Sequence, residues 1–280
     1  MIFAAVDIGS NAMRLLFCRA YEVNGKPHFS KEELIRLPIR LGEDVFLNGK
    51  ISEKKEQKLI TAMRGFKELI KVYEVTAYRA VATSAMRDAS NSSEIIDGKL
   101  EAQLVFSNHI EELLNPKHSY LYIDVGGGST ELTLYSNHKV IASNTFNIGT
   151  VRMLLNKVEK EEWDLMKEWI KKITLGYSPL RAIGSGGNIN KIFKMTKKDN
   201  KNLSYSKLKG IHDMLNSYTY EERVEVLGLK PDRADVIVHA SKIFITIMKT
   251  ADIEDIFIPQ IGLSDGIVHD LYDREKAKSK

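Results

Sequence analysis

Asp124-Val125-Gly126-Gly127-Gly128-Ser129-Thr130 is the stretch from which the fold follows, because Asp7-Ile8-Gly9-Ser10-Asn11 carries the same plan far upstream. Each closes an apolar strand (residues 2–8 and 120–125) on an aspartate, turns through glycine and opens a second strand (13–23 and 131–135). Glycine at such a turn permits positive φ and lets backbone approach a ligand closely. Successive N–H groups there can converge on one anion. Gly9, Gly126, Gly127 and Gly128 are therefore a candidate cradle for phosphate, with side-chain donors from Ser10, Asn11, Ser129 and Thr130. Asp7 and Asp124 stand at strand ends, where a carboxylate can hold a metal directly or through water. Glu131 would assist them or be an ordinary strand residue. One such turn is weak evidence, but two that start equivalent sheets are much stronger. Two βββαβα-type domains facing each other would bring both turns to one cleft.

Outward from the first turn, Gly25-Lys26 signals a hairpin into a strand at 28–37. Ser52 caps a helix on which Ile60, Met63, Phe66, Leu69 and Ile70 share a face. A strand over 75–82 ends at Thr83-Ser84, and a helix over 99–114 stops at Asn115-Pro116. Around the second turn the pattern restarts with strands at 120–125, 131–135 and 140–146 and a helix with Trp163, Met166 and Ile170 on one face. A strand at 181–183 runs into Gly184-Ser185-Gly186-Gly187, a third glycine turn. A helix starting there would offer Ser185, Gly186 and a positive dipole end to an anion; a tight connection is the alternative. Helices at 188–195, 204–217, 219–227 and 232–250, a strand at 253–258 and a closing helix at 262–273 complete the pattern. The charged tail 275–280 is expected to fray. The fold class is α/β. The domains are 1–118 and 119–280, the last helix being free to pack back on the first.

The 280 residues are enough for one large domain or two of ordinary size, and 43% hydrophobic with 28% charged content is that of a soluble globular protein. No uncharged apolar run reaches the ~18 residues that a bilayer crossing needs. Met1–Val6 meets Asp7 without a basic leader, so a cytoplasmic location is expected. The single Cys18 rules out an internal disulfide and reads as a buried strand residue. A net charge of +4 is too mild to demand nucleic acid. Lys191, Lys194, Lys197, Lys198 and Lys201 form a basic stretch, either a solvated face or a guide for a polyanion. The seven histidines are scattered. Oxygen ligands with phosphate oxygens favour Mg²⁺ or Mn²⁺ over zinc.

With its three turns in order, the chain resembles the exopolyphosphatase / guanosine-pentaphosphatase family of the actin, sugar-kinase and heat-shock-chaperone superfamily, from residue 3 to about residue 273. The matching motifs are Val6 to Asn11, Ala82-Thr83-Ser84-Ala85-Met86-Arg87, Ile123 to Leu132, the third glycine turn and Leu263-Ser264-Asp265-Gly266. The resemblance implies two ribonuclease-H-like (actin-like ATPase) domains in the short form of the family, each a mixed five-stranded sheet flanked by helices, with the active site between them, and by itself suggests a homodimer. It places the family's catalytic glutamate on Glu101, within Ile96-Asp97-Gly98-Lys99-Leu100-Glu101-Ala102. A companion family glutamate falls on Leu100, and the segment between Arg87 and Glu101 is shorter than in the family. Arg87, with its bidentate fork, is the candidate phosphate clamp. Arg14 and Arg40 are weaker candidates for the same face. The implied activity is release of terminal phosphate from polyphosphate or guanosine pentaphosphate, with Glu101 as base and Asp124 holding the metal. The alternatives are a non-catalytic polyphosphate or alarmone sensor and an ATP-dependent kinase or ATPase.

Overall fold

The computed structural model describes residues 1–92, 115, 118–196 and 201–278. They form two compact units, one within Met1–Ile110 plus Gly262–Lys280 and the other within Glu111–Ile261. Each is α/β and opens with a three-stranded antiparallel meander.

In the first unit the meander is β1 (Ile2–Ile8), β2 (Met13–Val23) and β3 (Lys26–Leu37). Asn24 and Gly25 join β2 to β3 with φ of 51° and 74°, the double positive φ that matches strand twist in a two-residue hairpin. β4 (Ala77–Ala82) pairs parallel to β1, giving the order β3-β2-β1-β4. Phe3, Ala4, Ala5 and Val6 are all buried, which is why β1 reads as a continuous apolar run. α1 (Leu41–Asn48) is an addition to the sequence reading: eight residues are too few to show periodicity, and it is fixed by burying Leu41, Val45 and Phe46. α2 (Glu53–Val72) starts where expected, with the Ser52 hydroxyl accepting from the Lys55 N–H at 3.4 Å. α3 (Ser84–Asp88) carries Arg87.

The closing helix, Leu263–Lys278, also belongs to this unit. His269 stacks on Phe29 at 3.8 Å, Tyr272 meets Phe3 and Phe29 edge-on, and Asp270 pairs with Arg79 at 3.0 Å. These contacts group residues 262–280 with the first unit, the packing that the sequence reading left open for the last helix of its 119–280 domain. The tail expected to fray is helical to Lys278, because Lys278 pairs with Glu275 at 2.6 Å and Lys276 pairs with Glu22.

The second unit repeats the meander as β5 (Ser119–Val125), β6 (Thr130–Ser136) and β7 (Lys139–Phe146). Its hairpin also uses two positive φ values, at Asn137 (49°) and His138 (61°). There follow α4 (Thr150–Leu154), α5 (Lys160–Thr174), β8 (Leu180–Ser185) and α6 (Gly187–Met195). β9 (Asn202–Ser204), α7 (Tyr205–Ser217), α8 (Tyr220–Glu225), α9 (Pro231–Ala234), α10 (Ile237–Thr250) and β10 (Asp255–Phe257) complete it. The closing helix is thus α11. The helix expected at 232–250 is split, since Val236 has φ −107°.

The second sheet has the order β7-β6-β5-β8-β10-β9. It has six strands where five were expected, because the chain before α7 runs antiparallel beside β10. In the first unit the described residues supply four. Leu121, Ile123 and Leu132 pack with Met166 and Ile170 of α5, Ile189 and Ile192 of α6, and Phe244 and Ile247 of α10. Burying each such side chain is worth about 1.5–3 kcal/mol, so this core holds the β5 end in place.

Candidate functional site

The turn after β5 is built by tying its carbonyls back. The Gly126 C=O accepts from the Thr150 N–H at 3.1 Å. The Gly127 C=O accepts from Val151 at 2.8 Å and Arg152 at 3.3 Å. The Gly128 C=O accepts from the Arg152 Nε at 2.7 Å. With these three carbonyls held by α4, the N–H groups of Gly127 and Gly128 donate to no acceptor among the described residues. A helix start normally leaves such donors orphaned; here α4 spends them on the turn. The approach is so close that a Cβ on Gly149 would lie 2.3 Å from the Gly128 carbonyl carbon. Only glycine fits. Thr130 completes the clamp by donating to the Ile148 C=O at 2.5 Å.

The turn after β1 follows the same plan with other parts. The Ser10 C=O accepts from the Gly42 N–H at 2.8 Å, and the Asn11 C=O from the Arg40 N–H at 3.0 Å. Here α1 takes the place that α4 has in the other unit. Arg40 sits in the left-handed region, φ 58° and ψ 48°, which costs a non-glycine residue about 1–2 kcal/mol. Ser10 is buried, and its hydroxyl accepts from the Ala85 N–H at 3.1 Å, capping α3 from a distant segment. That bond brings the Thr83–Arg87 segment to the first turn and leaves the hydroxyl proton to donate elsewhere.

The two aspartates have opposite neighbours. Across the first sheet the register reads Arg36, Arg14, Asp7, Val81. Across the second it reads Thr145, Glu131, Asp124, Ser185. Asp7 is buried and paired with Arg14 at 2.6 Å. Asp124 lies between Glu131 and Ser185, whose hydroxyl reaches its carboxylate at 3.3 Å. The Ser129 hydroxyl donates to Glu131 at 2.6 Å. Gly186, at φ 103°, is required where β8 turns into α6, since a Cβ there would sit 3.2 Å from the Asp124 carboxylate.

Among the described residues no group of three or more histidines, cysteines, aspartates and glutamates stands ready for a metal. Asp124 and Glu131 do offer two adjacent carboxylates, a donor set that suits a hard cation completing its shell with water and phosphate oxygens. Asp7 is engaged by Arg14 instead. Two expected phosphate donors have other work. Thr130 is fully buried and holds Ile148. Ser185 is fully buried and divides its hydroxyl between Asp124 and the Ile261 C=O at 3.2 Å. Both hydroxyls were read from position alone, and their acceptors lie far away or across the sheet. Glu101 lies outside the described residues. Sequence reasoning missed Gly149 and Arg152. The run Ile148-Gly149-Thr150-Val151-Arg152 could have flagged them, as a glycine directly before a short helix.

The Ppx/GppA phosphatase family model matches residues 30–275. The bifunctional 3-dehydroquinate synthase/phosphatase of Fusobacterium nucleatum is 28% identical over 275 residues, covering 84% of this chain and 41% of that protein. Exopolyphosphatase 2 of Mycobacterium tuberculosis is 33% identical over 171 residues, 54% of this chain and 53% of its own length. The guanosine-5′-triphosphate,3′-diphosphate pyrophosphatase of Aliivibrio fischeri is 23% identical over 300 residues, 97% of this chain and 59% of that protein. The chain spans about half the length of the curated relatives it matches. Among solved structures, an exopolyphosphatase from Cytophaga hutchinsonii superposes with a TM-score of 0.81 at 22% identity, and the Aquifex aeolicus family member with 0.76 at 24%, each covering 98% of both chains. The fold is the two-domain actin-like one expected from the sequence. Matched over most of its length, from residue 30 to residue 275, the chain belongs to the Ppx/GppA phosphatase family.

Proposed function

We propose that the chain is a cytoplasmic phosphohydrolase that releases terminal orthophosphate from linear polyphosphate, and that it also accepts guanosine pentaphosphate. The observation that carries this reading is the Gly126–Ser129 turn, whose carbonyls are all tied back so that the Gly127 and Gly128 N–H groups remain for a ligand. Phosphoryl transfer asks a protein chiefly for positioning and for neutralisation of charge on the phosphoryl oxygens. The second unit supplies backbone donors to the transferred group. The first supplies Gly9, Ser10, Asn11 and Arg87 to substrate phosphate. Asp124 and Glu131 would hold Mg²⁺ or Mn²⁺, which would supply charge neutralisation at the phosphate oxygens. Ser185 keeps Asp124 in place. Glu101 takes the proton of the attacking water.

The test is orthophosphate release from long-chain polyphosphate with Mg²⁺, comparing the parent with Glu101→Ala and repeating the pair on guanosine pentaphosphate and ATP. A drop on the order of a hundredfold in the variant is expected. Leu100, standing where the family has a companion glutamate, favours a second reading, a sensor that binds polyphosphate without cutting it. A folded parent that binds polyphosphate tightly and releases no phosphate would establish the sensor and reject the enzyme.

A further inference from the structure

We infer that Lys55 is a positioning residue for the first phosphate turn, acting through the strained peptide of Arg40. The kinetic part of the inference rests on the phosphohydrolase reading; the structural part does not. Lys55 occupies the first turn of α2, where the positive end of the helix disfavours a cation and the neighbours Glu53 and Glu56 are acidic. Its side chain is nevertheless only 16% exposed. It reaches the Arg40 C=O at 2.6 Å, Glu43 Oε2 at 3.0 Å and Asp44 Oδ1 at 2.8 Å. Three acceptors thus meet the three N–H donors of one ammonium. Asp44 is in turn held by the Ser52 N–H at 3.1 Å and by the Ser52 hydroxyl, which anchors the start of α1 to the start of α2. These bonds hold the Asp44 carboxyl below its ordinary pKa, against the burial that pushes it up, with the Lys55 bond first among the lowering causes.

The centre of this network is a backbone conformation that nothing local favours. Arg40 has φ 58° without being glycine, and its side chain makes no cap for α1, pairing instead with Glu43 at 2.6 Å. The left-handed turn aims the Arg40 N–H at the Asn11 C=O and, two residues on, the Gly42 N–H at the Ser10 C=O. Those two bonds orient the peptides of the first turn. Lys55 pulls on the carbonyl of the same strained residue and neutralises the acidic pair Glu43 and Asp44 beside it. Without the ammonium, the two carboxylates repel each other, and Arg40 can return to an ordinary φ. That return withdraws its N–H from Asn11 and disorders the donors a substrate phosphate would meet. Lys55 touches no reacting atom in this scheme; it sets the geometry of groups that do.

The experiment compares the full chain with Lys55→Met, which keeps the length and loses the charge, and Lys55→Arg, which keeps charged donors. Hydrogen exchange of segments 8–13 and 38–46 is read first, with segment 123–131 as the internal reference. Exchange in the first two should rise about tenfold in the Met variant, leave the reference unchanged, and return most of the way in the Arg variant. In tripolyphosphate hydrolysis, KM should rise about fivefold while kcat stays within about twofold. Unchanged exchange at 8–13 overturns the inference. So does faster exchange with unchanged KM, because Lys55 would then stabilise α1 without governing the turn. A parent that releases no phosphate from any substrate rejects the phosphohydrolase reading instead, and exchange alone then decides the role of Lys55.

Discussion

The turn after β1 and the turn after β5 share a scaffold and differ in almost everything attached to it. Both hang from a meander, both end a strand on aspartate, and both have their carbonyls held by a short helix that follows the third strand. The second is held by contact: Gly149 lies against the backbone of Gly127 and Gly128, and Arg152 closes the ring. The first is held by charge: Lys55 restrains a left-handed Arg40. The rows across the sheets diverge likewise, with Arg14 and then Arg36 to one side of Asp7 and Glu131 beside Asp124. Backbone geometry is the shared part, and backbone N–H groups can meet an anion without help from side chains. The side chains could therefore specialise, one row toward an anion and the other toward a cation.

The strongest attempt to break this contrast is to add one carbon to each holder. Gly149→Ala must collide with backbone at 2.3 Å, which cannot yield, so a loss of about 4 kcal/mol or outright failure to fold is expected in urea unfolding. Gly42→Ala collides at 2.7 Å with the Phe46 ring, which can turn aside, and about 1–2 kcal/mol is expected. Equal losses would mean that the two turns are held alike. The rows come next. Asp124→Asn should lower phosphate release on the order of a hundredfold, whereas Asp7→Asn, whose partner Arg14 is already 30% exposed to water, should lower it about tenfold. The reverse order would exchange the roles of the two rows.

The smallest effect separates the units by pH. Burial lowers His212 and His239, both in the second unit, below the ordinary value of 6.5. The unfolded chain then binds more protons than the folded one, so the second unit loses stability as pH falls through 6.5. In the first unit, burial raises Asp265 above 3.8, with Lys31 at 2.7 Å only partly opposing. Its folded form is the better proton acceptor, so this group adds stability as pH falls toward 3.8 and subtracts it as pH rises. Hydrogen exchange in α7 and α10 between pH 7.5 and 5.5 should therefore accelerate relative to β1 and α11, after correction for intrinsic rates. Parallel profiles would remove the contrast.

What the sequence disclosed, and what it hid, follows the same division. The two turns, the strands leading into them and α2 were legible because each writes its own signal: glycine after an apolar strand, or Ser52 before a periodic helix. α1 and α4 were not, because helices of eight and five residues are specified by the turns they grip rather than by their own periodicity. Thr130 and Ser185 stood out in the sequence, but the partners of their hydroxyls did not, since Ile148 and Asp124 are distant in sequence. Lys55 gave no signal at all. Its three acceptors belong to the N-cap and first turn of a helix that periodicity does not reveal.

The packing of α11 sets an order on biosynthesis. The first unit is assembled from residues on both sides of the second, and Phe3 and Phe29 are covered by Tyr272 and His269, which are made only after the second unit. The second unit is continuous and complete in the intervening sequence. Domains generally fold as their residues emerge from the ribosome, so the inserted unit matures first while β1 to β4 wait with an apolar face uncovered. The strands β1 to β4 are thus sealed only after the second unit has been made, and until then their apolar face is open to contacts with other chains.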